Sequence, residues 1–196
     1  MTRPETAERQ ARAQALTARL AGRPLVLVGM MGAGKTTVGR RLANQLGRAF
    51  FDSDDEIEKA AQMSIPEIFE QRGEPEFRAG ETRVIARVLK DRDIVLATGG
   101  GAFVNPETRG LVKAGAVSVW IRADFDLLFA RVSRRSNRPL LKTANPRATL
   151  HKLIEDRYPI YAEADVTVIS RDVPQDVVAS DLIEAVLAHL NTESAS

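Results

Sequence analysis

The sequence predicts an α/β fold: a parallel sheet covered on both faces by helices. Three observations carry this. Short β-rich runs alternate with longer helical patterns along nearly the whole chain. Such alternation joins parallel strands through helices that must pack on the sheet. The string G-M-M-G-A-G-K-T, beginning at Gly29 and ending at Thr36, stands between an apolar run and an amphipathic pattern. Finally, 196 residues with 44% apolar and 28% charged side chains suit one soluble domain with a real core.

The first 23 residues are rich in Arg and Ala and include Glu5 and Glu8. Those acids, and the lack of Ser, argue against an organelle transit peptide. A short amphipathic helix or frayed extension is expected there, ahead of a single domain over residues 24–192. Strand one is placed at Leu25–Val28, "LVLV". The following helix carries Val38, Leu42 and Leu46 on one face. Strand two is Ala49–Asp52, and a helix over 76–89 aligns Phe77, Val84, Ile85 and Val88. Strand three is Ile94–Ala97. Asn105-Pro106 reads as an N-cap followed by proline at the first helical position. Strand four is placed at 116–121 and strand five at Val166–Ile169. The last helix shows a continuous stripe of Val178, Leu182, Val186 and Leu190. One long polar connection remains, "RRSNRPLLKTANPR" over 134–147, too long for an ordinary loop and therefore a candidate lid.

The chain has no cysteine, which removes disulfides, thiolate metal sites and a cysteine nucleophile. No apolar run approaches the length of a membrane span, so no membrane role is expected, and without a secretory signal the cytoplasm is the default location. Formal charge is only +2, and aromatic residues are 5% of the chain, with no basic stripe interleaved with them. Nucleic acid is therefore not an expected partner. The 22 arginines against six lysines keep anionic ligands in view, because the planar fork of Arg suits carboxylate and phosphate.

The string at Gly29 fits the phosphate-binding loop G-x-x-x-x-G-K-[ST]. Its glycines let the backbone wrap an anion with N–H groups pointing inward. The helix that follows adds free N–H groups and the positive end of its dipole. Lys35 would reach the β- and γ-phosphates and Thr36 would ligate a magnesium ion. The nucleotide-binding residues expected from this stretch are Gly32, Ala33, Gly34, Lys35, Thr36 and Thr37. Neither D-x-x-G nor N-K-x-D occurs, so a GTPase switch is excluded. Strand three runs into Thr98-Gly99-Gly100-Gly101, where many such proteins place a magnesium-linked aspartate.

Strand two ends in "FFDSDDEIE". With period-two alternation Asp52 and Asp54 would point the same way off its carboxyl end, where ligands bind in open parallel sheets. They could divide labour between a metal shell and a hydroxyl proton. The same acids also suit a solvated helix start. Next comes "RGEPEFRAGE", with Arg78 after Phe77. The triple glycine implies close backbone approach to something. "NRPLL" and "EDRYPIYAEAD" follow.

Taken in order, GMMGAGKTTVG, FFDSDDEIE, GEPEFR, TGGGA, NRPLL and RYPIYAEAD resemble the shikimate kinase family, with similarity from Leu25 to Leu190. The resemblance implies a three-layer αβα P-loop kinase fold with a five-stranded parallel sheet of order 2-3-1-4-5. It implies transfer of the ATP γ-phosphate to the 3-hydroxyl of shikimate, in aromatic amino-acid biosynthesis, with one Mg²⁺ ion and a monomeric chain. Arg78 and Arg157 match the family's carboxylate clamp. Asp54 matches the residue that binds ring hydroxyls and can serve as base, and Asp52 matches the acid that organises Mg²⁺. Gly99, Gly100 and Gly101 match its substrate-binding glycines, with the Gly100 N–H placed against the substrate. Arg138 matches the lid arginine that meets charge on the phosphates, joining Lys35 and Asp54 as catalytic. Arg131 and Pro174 fall where the family sandwiches adenine. Another small-metabolite kinase, such as a gluconate kinase, and a purely regulatory nucleotide-binding domain are the rival readings. The combined D-S-D, E-F-R and G-G-G pattern favours shikimate over gluconate.

Overall fold

A computed structural model describes residues 3–134 and 143–193. Its five strands are β1 (Leu25–Val28), β2 (Ala49–Asp52), β3 (Ile94–Ala97), β4 (Val117–Arg122) and β5 (Val166–Ile169). They form one parallel sheet in the order β2-β3-β1-β4-β5, as expected. β1 is central, with Leu25 in register with Val95 on one side and Val117 on the other. Every residue of β1 and β3 is buried, as strands covered on both faces must be. β4 begins one residue later than expected and runs on to Arg122. The reason is local: Ala116 caps the preceding helix, its N–H donating to the Val112 carbonyl.

The helices are α1 (Arg3–Leu20), α2 (Lys35–Leu46), α3 (Ser53–Ala61), α4 (Ile65–Val88), α5 (Pro106–Gly115), α6 (Phe125–Ser133), α7 (Pro146–Tyr161) and α8 (Gln175–Glu193). The expected apolar stripes are buried: Val38, Leu42 and Leu46 on α2, and Val178, Leu182, Val186 and Leu190 on α8. Asn105 caps α5, accepting from the N–H groups of Glu107 and Thr108. α1 packs against α8 and α2. Its Leu16 and Leu20 are wholly buried, each contributing about 1.5–3 kcal/mol of burial. Arg19 donates to the Leu190 carbonyl at 3.0 Å, and Arg23 pairs with Glu193 at 3.0 Å. Residues read as an extension thus share the core of the rest.

α4 is two helical halves joined at a kink. Gly73 sits at φ 78° and ψ 170°, and Pro75 starts the second half. The helix expected over 76–89 is that second half. The first half opens on a capping box, Ser64 with Glu67, a sequence signal that went unused. The Phe69 and Phe77 rings, 4.6 Å apart, bridge the two halves. The candidate lid lies mostly outside the described residues, which stop at Arg134 and resume at Thr143. No helix among the described residues is long and apolar enough to cross a membrane.

Candidate active site

Two adjoining cavities open at the carboxyl end of the sheet, where the strands of an open α/β fold leave a crevice. The larger, about 430 Å³, lies over the phosphate loop. Gly29, Gly32 and Gly34 all adopt positive φ, so the loop closes in a shape that L side chains rarely take. A Cβ on Gly29 would fall 2.6 Å from the Ile121 carbonyl oxygen. Gly34 caps α2, and Lys35 and Thr36 start it. Lys35 is largely buried and donates to the Gly29 and Met30 carbonyls at 2.8 and 2.9 Å. Ala33 is fully buried; its N–H donates to the Met30 carbonyl, so it shapes the loop from within. Thr36 Oγ1 donates to Asp52 Oδ2 at 2.7 Å. A hydroxyl and a carboxylate side by side are the hard oxygen donors that a small divalent cation accepts. No group of three or more His, Cys, Asp or Glu among the described residues is placed to hold a metal by protein ligands alone. A cation that keeps several waters and leans on phosphate oxygens fits such a sparse donor set.

The expected geometry of the acids needs correcting. β2 ends at Asp52 and α3 begins at Ser53, so Asp54 follows helical rather than period-two geometry. Asp52 caps α3 by accepting from the Asp54 N–H at 3.1 Å. Both acids nevertheless line the larger cavity, so the helix start and the site are one feature. Thr37 and Arg131 line it as well. Arg131 donates to the Gly32 carbonyl at 3.3 Å and to Ser170 Oγ at 3.0 Å. Pro174 leads into α8, its carbonyl accepting from the Val177 N–H, but the residue of that segment lining the cavity is Gln175. Arg138 lies outside the described residues.

The smaller cavity, about 90 Å³, brings together Asp54, Arg78, Gly101 and Arg157. Each flanking glycine of the triple has a neighbouring side chain that would have to shift to admit a Cβ. A Cβ on Gly99 would sit 2.7 Å from Asp54 Oδ1, and one on Gly101 would sit 2.5 Å from Arg78 Nη1. The carbonyl of Gly100 accepts from Arg157 Nη1 at 3.1 Å and from the Tyr161 hydroxyl. Burial pushes Tyr161 up to about 12, so it remains a donor at neutral pH. Arg78 lies over the Phe77 ring, 5.0 Å from its centroid.

Two residues here escaped the sequence reading. Glu81, only 1% exposed, pairs with Arg78 at 2.8 Å. Burial pushes its carboxyl up, and Asp54 adds to this while Arg78 and Arg157 oppose it. The i,i+3 spacing from Arg78 on α4 was the available signal. Ser53, fully buried, accepts from the Gly99 N–H at 2.8 Å and so fastens α3 to the triple glycine. Nothing in its local sequence marks that contact.

The shikimate kinase family model matches residues 31–187. The chain belongs to the shikimate kinase family. A shikimate kinase from Rhodopseudomonas palustris is 54% identical over 175 residues, covering 89% of this chain and 86% of that relative. Among solved structures, a shikimate kinase from Acinetobacter baumannii in complex with shikimate aligns with a TM-score of 0.84 and 40% identity. The alignment covers 88% of this chain and 97% of that one. A gluconokinase from Sinorhizobium meliloti aligns with a TM-score of 0.56 at 17% identity, covering 89% of this chain and 94% of that one. That last likeness is one of fold alone.

Proposed function

We propose that the two cavities hold the two substrates of the family reaction, with Asp54 at the point where they meet. The chain is an enzyme, a kinase that phosphorylates the 3-hydroxyl of shikimate at the expense of ATP. The observation that carries the assignment of roles is that Asp54, with Gly99 and Gly100, lines both cavities. A group taking a proton from the acceptor while the phosphoryl arrives from the donor must face both.

In this reading ATP lies along the loop. The backbone of Gly32–Ala33–Gly34 and the side chains of Lys35, Thr36 and Thr37 hold its phosphates. Arg131 and Pro174 flank the adenine. A kinase of this family implies a divalent ion. The proposed ion is Mg²⁺, held by Thr36 and Asp52, which when bound offsets charge on the phosphate oxygens. Arg78 and Arg157 clamp the shikimate carboxylate with charge-assisted hydrogen bonds, and Glu81 orients Arg78 for that task. Gly99, Gly100 and Gly101 let the ring approach the backbone, with the Gly100 N–H against it. The acceptor oxygen then attacks the γ-phosphorus. The O–P bond to the acceptor forms, the bond to the β-phosphate bridging oxygen breaks, and the proton passes to the Asp54 carboxylate. Arg138, from the proposed lid over 134–147, meets the charge on the transferring group. The proposed single domain, with α1 packed into the core of residues 24–192, works as a monomer in the cytoplasm.

The test is ADP formation from ATP with shikimate, with gluconate, and with neither. Turnover dependent on shikimate alone is expected. Equal rates with gluconate, or ADP release indifferent to either acceptor, would overturn the acceptor assignment.

A further inference from the structure

A third cavity, about 330 Å³, lies between α3 and α4 and has no part in the reaction as described. Its floor is apolar and buried: Ile57, Ile68, Phe77 and Val84 are each less than one-tenth exposed. Its rim carries Arg72, Arg83 and Arg87, with one carboxylate, Glu76, among them. Arg83 faces Glu76 at 3.2 Å at the exposed surface, and Arg87 faces the largely buried Glu56 carboxylate at 3.1 Å. Arg72 has no acidic partner among the described residues. The groove therefore joins an apolar floor to uncompensated positive charge at one edge, the composition of a site for a small amphipathic anion. An arginine fork favours a carboxylate, which it can hold through two parallel hydrogen bonds.

Gly80 strengthens this. It lies inside the second half of α4, where glycine is a poor helix former. A Cβ there would meet nothing closer than Arg83 Nη2 at 3.9 Å, so packing does not demand glycine. Its effect is to leave the groove open.

We infer that this groove binds an organic monocarboxylate with an apolar body, and that its occupancy weakens acceptor binding through Phe77. Phe77 lines both the groove and the 90 Å³ acceptor cavity. It directly precedes Arg78, so the same turn of α4 carries the shared wall and the carboxylate clamp. The acceptor cavity is small for a ligand site. A body packed behind Phe77 limits the room into which that wall can yield. The expected kinetic sign is a raised KM for shikimate with kcat retained at saturation. This coupling rests on the acceptor assignment above; binding in the groove does not.

The probe is 3-phenylpropanoate, titrated calorimetrically into the full chain saturated with shikimate, so that Arg78 and Arg157 are occupied. One probe equivalent is expected to bind. Affinity should fall about tenfold or more in Arg72→Ala, and similarly for the neutral 3-phenylpropanamide, because each loses the charge-assisted contact. Gly80→Leu, which fills the groove, should abolish binding, and inorganic phosphate, lacking the apolar body, should not bind. In turnover assays saturating probe should raise KM for shikimate about fivefold, the lower range of such couplings. That rise should vanish in both variants. Complete displacement of the probe by shikimate, or binding undiminished in both Arg72→Ala and Gly80→Leu, overturns the site. Binding without a change in KM overturns the coupling. The calorimetric arm needs no turnover, so it stands apart from any failure of the kinase assay.

Discussion

Eight consecutive residues, 29–36, form the phosphate loop, whereas the acceptor cavity draws Asp54, Arg78, Gly101 and Arg157 from four separate segments. The loop is specified by its own backbone. Three glycines at positive φ and the start of one helix make an anion cradle with little outside help. The acceptor cavity exists only through packing: Ser53 on Gly99, Glu81 on Arg78, Arg157 and Tyr161 on Gly100. A local site tolerates change elsewhere; an assembled one transmits it. The two should therefore respond differently to substitution.

The largest effect expected falls where the sites meet. Asp54→Asn should leave ATP binding and the fold nearly intact, since the side chains are similar in volume. Its kcat should drop about 10²–10⁴-fold, the usual contribution of a positioned base. Turnover within about tenfold of the parent enzyme would remove the base assignment. Arg138→Ala should follow, with a loss of about 10²-fold or more falling on kcat rather than on KM for ATP. Arg138→Lys should rescue poorly, because a point charge does not reproduce a planar fork. An unchanged kcat in Arg138→Ala would refute its role.

The same contrast explains what is legible in the sequence alone. The phosphate loop was legible because motif and context sit together: "LVLV", three glycines, Lys-Thr, then an apolar stripe. Four strands fall at their expected bounds because each is a short apolar run closed by turn or cap residues. Asp54, Arg78 and Arg157 could be named from the family resemblance, and the fold then gathers them in one cavity. Ser53 was not named, because its importance comes from a contact 46 residues away, on Gly99. Glu81 was not named because, although its partner Arg78 is only three residues before it, its burial is set by packing. The kink at Gly73 was missed for a related reason. A glycine within a helical pattern reads as a weak spot, and only packing decides whether the chain bends there.

Next in size come the clamp residues, which sharpen the assembled side of the comparison. Arg78→Ala and Arg157→Ala should each cost about 1.5–3 kcal/mol of acceptor binding. That is a rise of about tenfold to over a hundredfold in KM for shikimate, with KM for ATP little changed. An unaltered KM for shikimate in both would place the carboxylate elsewhere. Gly101→Ala tests the same clamp indirectly. The added methyl would fall 2.5 Å from Arg78 Nη1, so the guanidinium must move aside. Its KM for shikimate should rise by less than in Arg78→Ala, about severalfold, because the fork is displaced rather than lost. Parental kinetics in Gly101→Ala would show that Arg78 has room to spare.

The smallest effect is on stability and concerns Glu81. Burial pushes its carboxyl up from the ordinary range, and the neighbouring Arg78 only partly offsets this. In the unfolded chain Glu81 titrates at its ordinary value, near 4.3. Between that value and the raised one, the folded protein holds a proton that the unfolded chain has lost. Stability therefore falls as pH rises through this window, and the contribution becomes constant above it. Glu81→Gln should remove that slope, so its stability relative to the parent should improve as pH climbs out of the acid range. Arg78→Ala should steepen the slope, because the buried carboxylate then loses its closest counter-charge while Asp54 still opposes ionisation. Thermal unfolding of the three proteins between pH 4 and 8 separates these outcomes, and none depends on catalysis. Parallel pH profiles for all three would mean that Glu81 is solvated in solution and is not the buried counter-ion that orients Arg78.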